Sequence, residues 1–510
     1  MAVEPTNPLI PGFSPDPSLV NVNGWYYLVN SSFHMFPGLP IYASQDLISW
    51  KHIGNAINRP SQLSLAKSET SIVDHSDLFD NAVASGGLFA PTIRYHDGVF
   101  YIVCTNAVHG APSTNFIVST QDVWGNQWSD PVYFDFDGID PSIFFDHGKA
   151  YLQGSASPGP FNNINLFEID LQTGKKLSEE RTIWTGTGGI FPEGPHIYKR
   201  NGWYYLMISE GGTWEGHMIT MARSRDIWGP YEACPNNPIL TARGTKDYVQ
   251  HVGHCEAFQD DAGQWWGVCL GVRKDEEGRY IMGRETFITR GKWDEDWISF
   301  EMVKIDKNLD IPEVTSPTLS SAPGMDYLYI RDANLANYDV GDEYLITLTS
   351  SPVDLSHPEM SPTFISKRQR KLNGRSTVTI GSLVEAESGA KLKFGIACYK
   401  DEHRYLRIFY DTSESVIVFE VINKAKRIAK TERRNLAFAR EGLSLSIKYT
   451  EREYSLLYKA RHASAGDWIC LAVVDTLDLT NRDFVGPVIG IFATAESSGP
   501  KVTFEDFNVD

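Results

Sequence analysis

The sequence predicts an all-β protein, with a five-bladed β-propeller over residues 1–310 followed by a C-terminal β-sandwich over residues 325–510. Aromatic residues make up 12% of the chain, with 42 glycines and 27 prolines, as is typical of many short strands and tight turns. One hairpin pattern recurs five times before residue 305, and period-two alternation replaces it after residue 325. Because 510 residues exceed one ordinary hydrophobic core, we expect two domains.

The recurring pattern is a glycine turn followed by an aromatic-rich strand. The first copy reads Gly24-Trp-Tyr-Tyr-Leu-Val, and the five turn glycines are Gly24, Gly98, Gly148, Gly202 and Gly263. Another strand precedes each turn, and its equivalent position lies eight or nine residues upstream of the glycine, at Asp16, Ala90, Asp140, Glu193 and His254. Chance explains one or two such hairpins, but not five with matching upstream strands. Repeats of this length predict blades of about four strands around one axis.

The repeat stops after about residue 305. A Pro- and Ser-rich passage, Ile311–Gly324, follows it and is typical of a linker. Beyond the linker, segments such as Lys391–Tyr399 and Val416–Val421 alternate with period two and show no helical period. These residues predict the sandwich, and the short, proline-containing linker predicts that the sandwich packs on the propeller.

Composition and charge argue against several classes of function. The net charge of −18 disfavours binding to nucleic acid, and no stretch approaches the roughly 20 apolar residues of a membrane helix. The N-terminus lacks a basic region followed by an apolar one, so we expect a cytoplasmic protein, or a secreted one if a leader peptide has been removed. No C-x-x-C pair occurs, so we expect buried, reduced thiols at Cys104, Cys234, Cys255, Cys269, Cys398 and Cys470.

Four titratable residues at equivalent blade positions are candidates for one site. The innermost strands of a propeller start around one mouth, so Asp16, Asp140, Glu193 and His254 should converge. An Asp-Pro dipeptide taken alone is as well explained by a turn, but three carboxylates at equivalent positions are costly to bury without a function. Cleavage of a glycosidic bond needs a carboxylic acid and a carboxylate, and a third acid would raise the pKa of its neighbour. The sequence therefore suggests general acid–base catalysis.

Aromatic residues close to these motifs could form the flat apolar walls that a sugar ring needs. Core packing is an equally good explanation for each of them taken singly. The candidates are Phe33, Phe36, Phe89 and Trp214.

Several motifs together resemble glycoside hydrolase family 43, and they are most similar to its β-xylosidases and α-L-arabinofuranosidases. These motifs are Phe13-Ser-Pro-Asp-Pro-Ser, Gly138-Ile-Asp-Pro-Ser, Phe191-Pro-Glu-Gly-Pro-His and Gly283-Arg-Glu-Thr-Phe. The resemblance implies an exo-acting, inverting hydrolase that releases xylose from the non-reducing ends of β-1,4-xylo-oligosaccharides and has α-L-arabinofuranosidase activity as well. A predominant α-L-arabinofuranosidase acting on arabinoxylan or arabinan fragments is the alternative. The preference between xylose and arabinose stays open, and a homo-oligomer is possible.

The resemblance also implies roles for the three acids. Asp16 matches the family's general base, Glu193 its general acid, and Asp140 the residue that tunes the pKa of the acid and orients it. Arg284 matches the arginine that binds hydroxyl groups of the terminal sugar. Further residues match positions that line the sugar pocket or form its floor: Phe33, Thr213 and His254. Phe89 stands where the family often has tryptophan, which keeps an apolar wall of another shape.

The resemblance implies no required cofactor. It leaves open whether a calcium ion is bound. In part of the family, the histidine equivalent to His254 helps to hold calcium in the axial channel. A zinc site at His251-x-x-His254-Cys255 is disfavoured, since no further ligand pair can be placed. An aromatic residue of the sandwich is expected to close the pocket, from the segment Phe484–Phe492, although the sequence does not fix which one.

Three other functions compete with this interpretation. A non-catalytic sugar-binding propeller would need aromatic and amide side chains, but not three equivalent carboxylates. A retaining fructan or sucrose hydrolase would carry an Asn-Asp-Pro-Asn motif, whereas Asp16 lies in Ser-Pro-Asp-Pro-Ser. A structural interaction scaffold would leave the acidic mouth unexplained.

Overall fold

The computed structural model describes residues 5–75, 79–157, 159–294, 296–305, 319–341, 345–381, 391–436, 442–464 and 466–510. The regular elements in these ranges are strands, apart from two short 3-10 helices, Leu335–Asn337 and Thr476–Asp478. None of the helices in the described ranges is long and apolar enough to cross a membrane. The all-β prediction is confirmed.

The N-terminal half forms five antiparallel blades, and their innermost strands contact one another in a ring. From the axis outward, the strands are Ser18–Val22, Trp25–Val29, Gly38–Ser44 and Trp50–Ile57 in blade 1; Thr92–His96, Val99–Ala107, Thr114–Thr120 and Val132–Phe134 in blade 2; Gly138–Asp146, Lys149–Ala156, Asn163–Glu168 and Arg181–Trp184 in blade 3; Glu193–Arg200, Trp203–Glu210, Met218–Ser224 and Glu232–Ala233 in blade 4; and Val249–Gln259, Trp265–Arg273, Glu285–Trp293 and Ile298–Phe300 in blade 5. Two short strands extend blades 2 and 4, Gly87–Leu88 and Leu240–Thr241. The predicted five-bladed propeller is confirmed.

The repeated glycines occupy the turns between the first two strands of each blade. In blades 1 to 4 both residues of a two-residue turn have positive φ, as at Asn23 (52°) and Gly24 (80°). This is a type I′ turn, whose twist matches that of the flanking strands and which favours Asn-Gly or Asp-Gly. In blade 5 the turn is longer, and Gly263 donates its N–H to the carbonyl of Asp260 at 3.0 Å. The glycine required in each turn is therefore the reason that the repeat can be recognised in the sequence.

The ring is closed by the residues that precede blade 1. Ile10 and Thr286 exchange both backbone hydrogen bonds at 3.2 Å, which places the N-terminal segment against the third strand of blade 5. The side chain of Asn7 donates to the carbonyl of Ile288 and accepts from its N–H, each at 2.8 Å. The N-terminus thus fastens the last blade next to the first.

The C-terminal half forms a β-sandwich, as predicted. Its seven-stranded sheet contains, in spatial order, Tyr338–Val340, Leu345–Thr349, Lys501–Asn508, Gly374–Ile380, Leu443–Tyr449, Glu453–Ala460 and Ile469–Asp475. Its six-stranded sheet contains Phe364–Arg368, Val488–Ala495, Leu392–Asp401, Arg404–Asp411, Val416–Asn423 and Ile428–Asn435. Apolar side chains from both sheets form one continuous core between them.

Part of the predicted linker forms a strand of blade 1. Most of Ile311–Gly324 lies outside the described residues, but Leu319–Ser321 pairs in parallel with Trp50–Ile57 as a fifth strand of blade 1.

All six cysteines are free, and five are buried as expected. Cys470 is exposed, because it lies on the strand at the edge of the seven-stranded sheet.

The sandwich packs directly on the propeller. Tyr329–Ile330 pairs with Met35–Phe36, and Arg482–Asp483 pairs in parallel with Phe79–Ser85. The latter strand forms a hairpin with Thr70–His75, which is inserted between blades 1 and 2. One apolar cluster contains buried residues of both halves, among them Phe13, Phe33, Leu328, Phe364 and Phe492. The two halves therefore share part of a hydrophobic core.

Candidate active site

Backbone irregularities at the start of the innermost strands direct the predicted acids toward the mouth of the propeller. Asp16, Asp140 and His254 have φ values of 50°, 52° and 45°, which non-glycine residues adopt infrequently. The pairing register shifts next to Asp140, Glu193 and His254, so β-bulges occur at equivalent places in blades 3, 4 and 5. Bulges re-aim side chains, and strained backbone of this kind is concentrated at functional sites.

The residues gathered at this mouth line one cavity of about 190 Å³. All eight residues predicted for the site contribute to it: Asp16, Phe33, Phe89, Asp140, Glu193, Thr213, His254 and Arg284. The cavity is smaller than the roughly 300–1,000 Å³ of pockets for drug-sized ligands, so it suits a single sugar ring better than a length of chain. The sequence also suggested Trp214, which lines the cavity, and Phe36, which does not. Phe36 instead packs in the core between blades 1 and 2.

Asp16 and Arg284 form the charged side of the cavity. The Arg284 Nη1 lies 3.7 Å from Oδ1 of Asp16, while Nη2 donates to Oγ1 of Thr213 at 2.6 Å. The other oxygen of Asp16 accepts a hydrogen bond from the Ser31 hydroxyl at 2.6 Å. These contacts fix the orientation of both side chains and leave guanidinium N–H groups available for sugar hydroxyls.

Asp140 lies beside the strand that carries Glu193, and burial raises the pKa of both carboxyl groups. Oδ2 of Asp140 accepts the N–H of Gly194 at 3.0 Å, which ties it to the strand that carries Glu193. Burial raises the pKa of Asp140 to about 6; His254 opposes this shift and the charge of Asp16 adds to it. Burial and then the negative charge of Asp140 raise the pKa of Glu193 well above its ordinary value, against the effect of Arg284. A protonated acid near neutral pH is thus available beside an ionisable carboxylate.

Aromatic rings form the other wall, and one of them comes from the sandwich. The ring of Phe484 lies 5.8 Å from that of Phe33, 6.0 Å from that of Phe89 and 6.1 Å from that of Trp214, stacked on the last at 9°. The guanidinium of Arg284 lies 4.5 Å from the centroid of Phe484. The sandwich therefore supplies a wall of the pocket, and Phe484 is the aromatic residue that the sequence could not identify.

A second layer of polar residues fills the axis behind the acids. Each innermost strand contributes one residue from further along its length: Ser18, Arg94, Ser142, His196 and Glu256. The Arg94 Nη1 forms an ion pair with Oε1 of Glu256 at 2.5 Å, and Nη2 lies within hydrogen-bond distance of Ser142 and His196. The remaining oxygen of Glu256 accepts from the Ser18 hydroxyl and the N–H of Leu19.

These axial residues do not fit a calcium ion. Calcium takes six to eight oxygen ligands, whereas the single carboxylate of this layer, Glu256, is already paired with Arg94, a fixed cation. His196 and His254 offer imidazole nitrogens, whereas calcium takes oxygen ligands. In the described part of the chain, no group of three or more His, Cys, Asp or Glu residues could hold a metal. The zinc motif does not converge either, since Cys255 packs in an apolar core and His251 faces Glu215 at 3.6 Å.

Sequence reasoning missed several residues of the site. Phe191 and His217 line the cavity, although only the motif around Phe191 was noticed. Val73, Ala82 and Ala84 reach the cavity from the inserted hairpin, which interrupts the blade repeat and carries no recognisable motif. Gly194 has a φ of +58°, and a Cβ atom at this position would lie only 3.0 Å from Nδ1 of His254. Both features favour glycine in Glu193-Gly-Pro.

Comparison with known proteins identifies the family. Residues 5–298 match the family model of glycosyl hydrolases family 43, and residues 321–510 match the model of the β-xylosidase C-terminal concanavalin A-like domain. The chain is 33% identical to the non-reducing end α-L-arabinofuranosidase BoGH43B of Bacteroides ovatus, over 97% of this chain and 91% of that protein. It is 42% identical over 306 residues to a xylosidase/arabinosidase of Butyrivibrio fibrisolvens, covering 57% of this chain and 55% of that one.

Solved structures agree over the full length. The solved structure of GH43B of the Bacteroides ovatus xyloglucan locus superposes with a TM-score of 0.84 at 30% identity, covering 99% of this chain and all of that one. A BlXynB variant of Bacillus licheniformis superposes with a TM-score of 0.83 at 28% identity, covering 98% of each chain. Both family models and both halves of the fold lead to one conclusion: the chain belongs to glycoside hydrolase family 43.

Proposed function

We propose that this glycoside hydrolase is an exo-acting, inverting enzyme that removes single pentoses from the non-reducing ends of xylo-oligosaccharides and arabinoxylan-derived oligosaccharides. The observation that carries the proposal is the small cavity in which three carboxylates face an aromatic wall. A cavity sealed on one side by Phe484 favours a terminal sugar over an internal one. The names of the relatives, arabinofuranosidase and xylosidase/arabinosidase, support activity on both β-D-xylosides and α-L-arabinofuranosides.

The proposed mechanism assigns one role to each acid. Asp16 accepts a proton from a water molecule as the water oxygen bonds to the anomeric carbon. Glu193 donates its proton to the departing glycosidic oxygen as that bond breaks. Asp16 and Glu193 belong to blades 1 and 4, which are not adjacent, and this arrangement supports a gap wide enough for the water. Burial and the charge of Asp140 keep Glu193 protonated, and Arg284 and Thr213 hold sugar hydroxyls.

The direct test is hydrolysis of aryl β-D-xylopyranoside and aryl α-L-arabinofuranoside, with proton NMR of the first-formed sugar. We expect turnover of both substrates and release of α-xylose first from the β-xyloside. Release of β-xylose first would make Asp16 a nucleophile and would overturn the inverting assignment. Binding of the oligosaccharide without product would favour the non-catalytic sugar-binding alternative.

Asp140→Asn should move the high-pH limb of activity to lower pH. Glu193 must be protonated to act, so activity falls as pH rises through its pKa, and the Asp140 charge helps to hold that pKa up. Asparagine removes the charge but can still accept the N–H of Gly194. The measurement is kcat/KM against pH. Asp146→Asn, at the far end of the same strand, is the matched control and should leave the limb in place.

Chelation should leave activity unchanged. We infer that the enzyme needs no metal, because the Arg94–Glu256 ion pair already balances charge on the axis where the family's calcium would be expected. Prolonged dialysis against EDTA, followed by assay with and without added Ca²⁺, should give the same kcat/KM within error. A loss that Ca²⁺ restores would contradict this inference.

A further inference from the structure

A cluster of buried charges lies in the sandwich behind the aromatic wall of the pocket. It is formed by Lys400, Asp401 and Arg404, at the tip of one hairpin, and by Asp483 on a separate strand; we refer to these four residues as the clamp. All four are at most 3% exposed. The Lys400 Nζ contacts Oδ2 of Asp483 at 2.5 Å, and Arg404 bridges Asp483 and Asp401, with its Nε 2.9 Å from Asp401.

The clamp is balanced in charge, with two cations and two carboxylates. Fully buried ion pairs of this kind rarely add stability beyond what apolar residues of the same size would give. Removing one partner, however, leaves an uncompensated buried charge, so each of the four side chains depends on its partners staying in place.

The clamp fixes the strand that leads directly into the pocket. Arg482 and Asp483 pair with Ala82 and Val83 of the inserted hairpin, and the next residue, Phe484, is the aromatic residue in the pocket wall. Ala82 itself lines the cavity. The position of Asp483 thus determines where two parts of the pocket wall lie.

The same hairpin tip also holds the other strand of the inserted hairpin. Oε1 of Glu402 accepts the N–H of Thr70 at 2.5 Å, and its Oε2 accepts the Thr70 hydroxyl at 3.1 Å. Nε2 of His403 lies 2.8 Å from the Thr70 carbonyl, and the fully buried Arg331 pairs with Glu402 at 2.8 Å. Both strands behind the pocket wall are therefore held by one turn of the sandwich.

From these contacts we propose that the clamp positions Phe484 over the sugar pocket, so that Lys400, Arg404 and Asp483 are positioning residues for the glycosidase reaction. The inference rests on the proposed function for its kinetic readout. Phe484 forms apolar wall in the ground state and in the transition state, so its displacement should raise KM more than it lowers kcat.

The test is the charge-balanced double variant Lys400→Met/Asp483→Asn, which removes one cation and one carboxylate and leaves Arg404 paired with Asp401. We expect KM for the aryl pentoside to rise on the order of tenfold, as for loss of an apolar pocket contact, with kcat changed much less. The matched control is Lys391→Met/Glu496→Gln, which removes an exposed ion pair of the same sandwich and should keep the original KM.

Two further measurements separate positioning from general damage. Phe484→Ala should raise KM in the original background but add little in the clamp variant, because both changes remove the same wall. Acrylamide quenching of Trp214, obtained by difference from Trp214→Phe, should increase in the clamp variant, since Trp214 is 8% exposed and stacked on Phe484. This fluorescence readout does not depend on catalysis, so an inactive wild-type protein would contradict the proposed function and still leave the positioning test valid.

A folded clamp variant with unchanged KM and unchanged Trp214 quenching would overturn the proposal, and so would fully additive effects of Phe484→Ala. If the double variant does not fold, Asp483→Glu takes its place. It keeps every charge and lengthens the side chain by one methylene, so it should raise KM and Trp214 quenching in the same direction. Wild-type values of both in Asp483→Glu would equally refute the role.

Discussion

Replacing Asp16 by alanine should remove hydrolysis of aryl glycosides and oligosaccharides alike, by on the order of 10²–10⁴-fold in kcat. No other carboxylate in the proposed mechanism accepts the proton of the attacking water, so a better leaving group cannot compensate. The initial rate on both substrate classes checks this, with Ser31→Ala as a graded comparison, because that variant removes only the hydrogen bond that orients Asp16.

Azide should restore part of the activity of Asp16→Ala. The small anion can occupy the space of the lost carboxylate and attack the anomeric carbon without needing a base. A β-xyloside should then give α-xylosyl azide, detectable by NMR. Strong residual activity without azide, or a β-azide product, would contradict the assignment of Asp16 as general base.

Replacing Glu193 by alanine should have an effect that depends on the leaving group. Oligosaccharides leave as poor alkoxides and need the proton that Glu193 supplies, so their turnover should fall by on the order of 10²–10⁴-fold. Dinitrophenolate leaves without protonation, so dinitrophenyl glycosides should retain much of their rate of hydrolysis. The measurement is kcat against the pKa of the leaving group, and the slope of this plot should be steeper than for the unmodified enzyme.

The high-pH limb should also disappear in Glu193→Ala on the activated substrate, since the pKa responsible for it is that of Glu193. An equal loss on all leaving groups would show that the general acid lies elsewhere. Asp16→Ala serves as the contrasting variant, because it should show no such dependence on leaving group.

The repeat made the convergence of Asp16, Asp140 and Glu193 predictable. Equivalent positions in a closed ring must come together whatever their separation in sequence, and type I′ turns at positions such as Asn23–Gly24 kept the repeat visible. The bulges that aim Asp140 and His254 were not predictable in detail, because register shifts depend on the neighbouring strand.

The roles of Phe484 and Arg94 could not be predicted from the sequence. Phe484 of the sandwich packs near Phe33 of the propeller, and nothing local to Asp483-Phe484-Val485 indicates a pocket. Arg94 lies in the innermost strand of blade 2, and its role follows only from a carboxylate on another blade, Glu256. Contacts between different blades or domains need the three-dimensional arrangement, whereas turns and strand periodicity are local.

The closure of the ring by the N-terminal segment has a consequence for folding on the ribosome. Ile10 is synthesised before any of the blades, yet its partner Thr286 lies in the third strand of blade 5 and emerges only after blades 1 to 4 have been made. Arg370 of the sandwich also contacts the carbonyl of Pro11 at 2.6 Å, later still in synthesis. Because such distant contacts slow folding, the ring of the propeller should close in one late step, once blade 5 has emerged, rather than blade by blade.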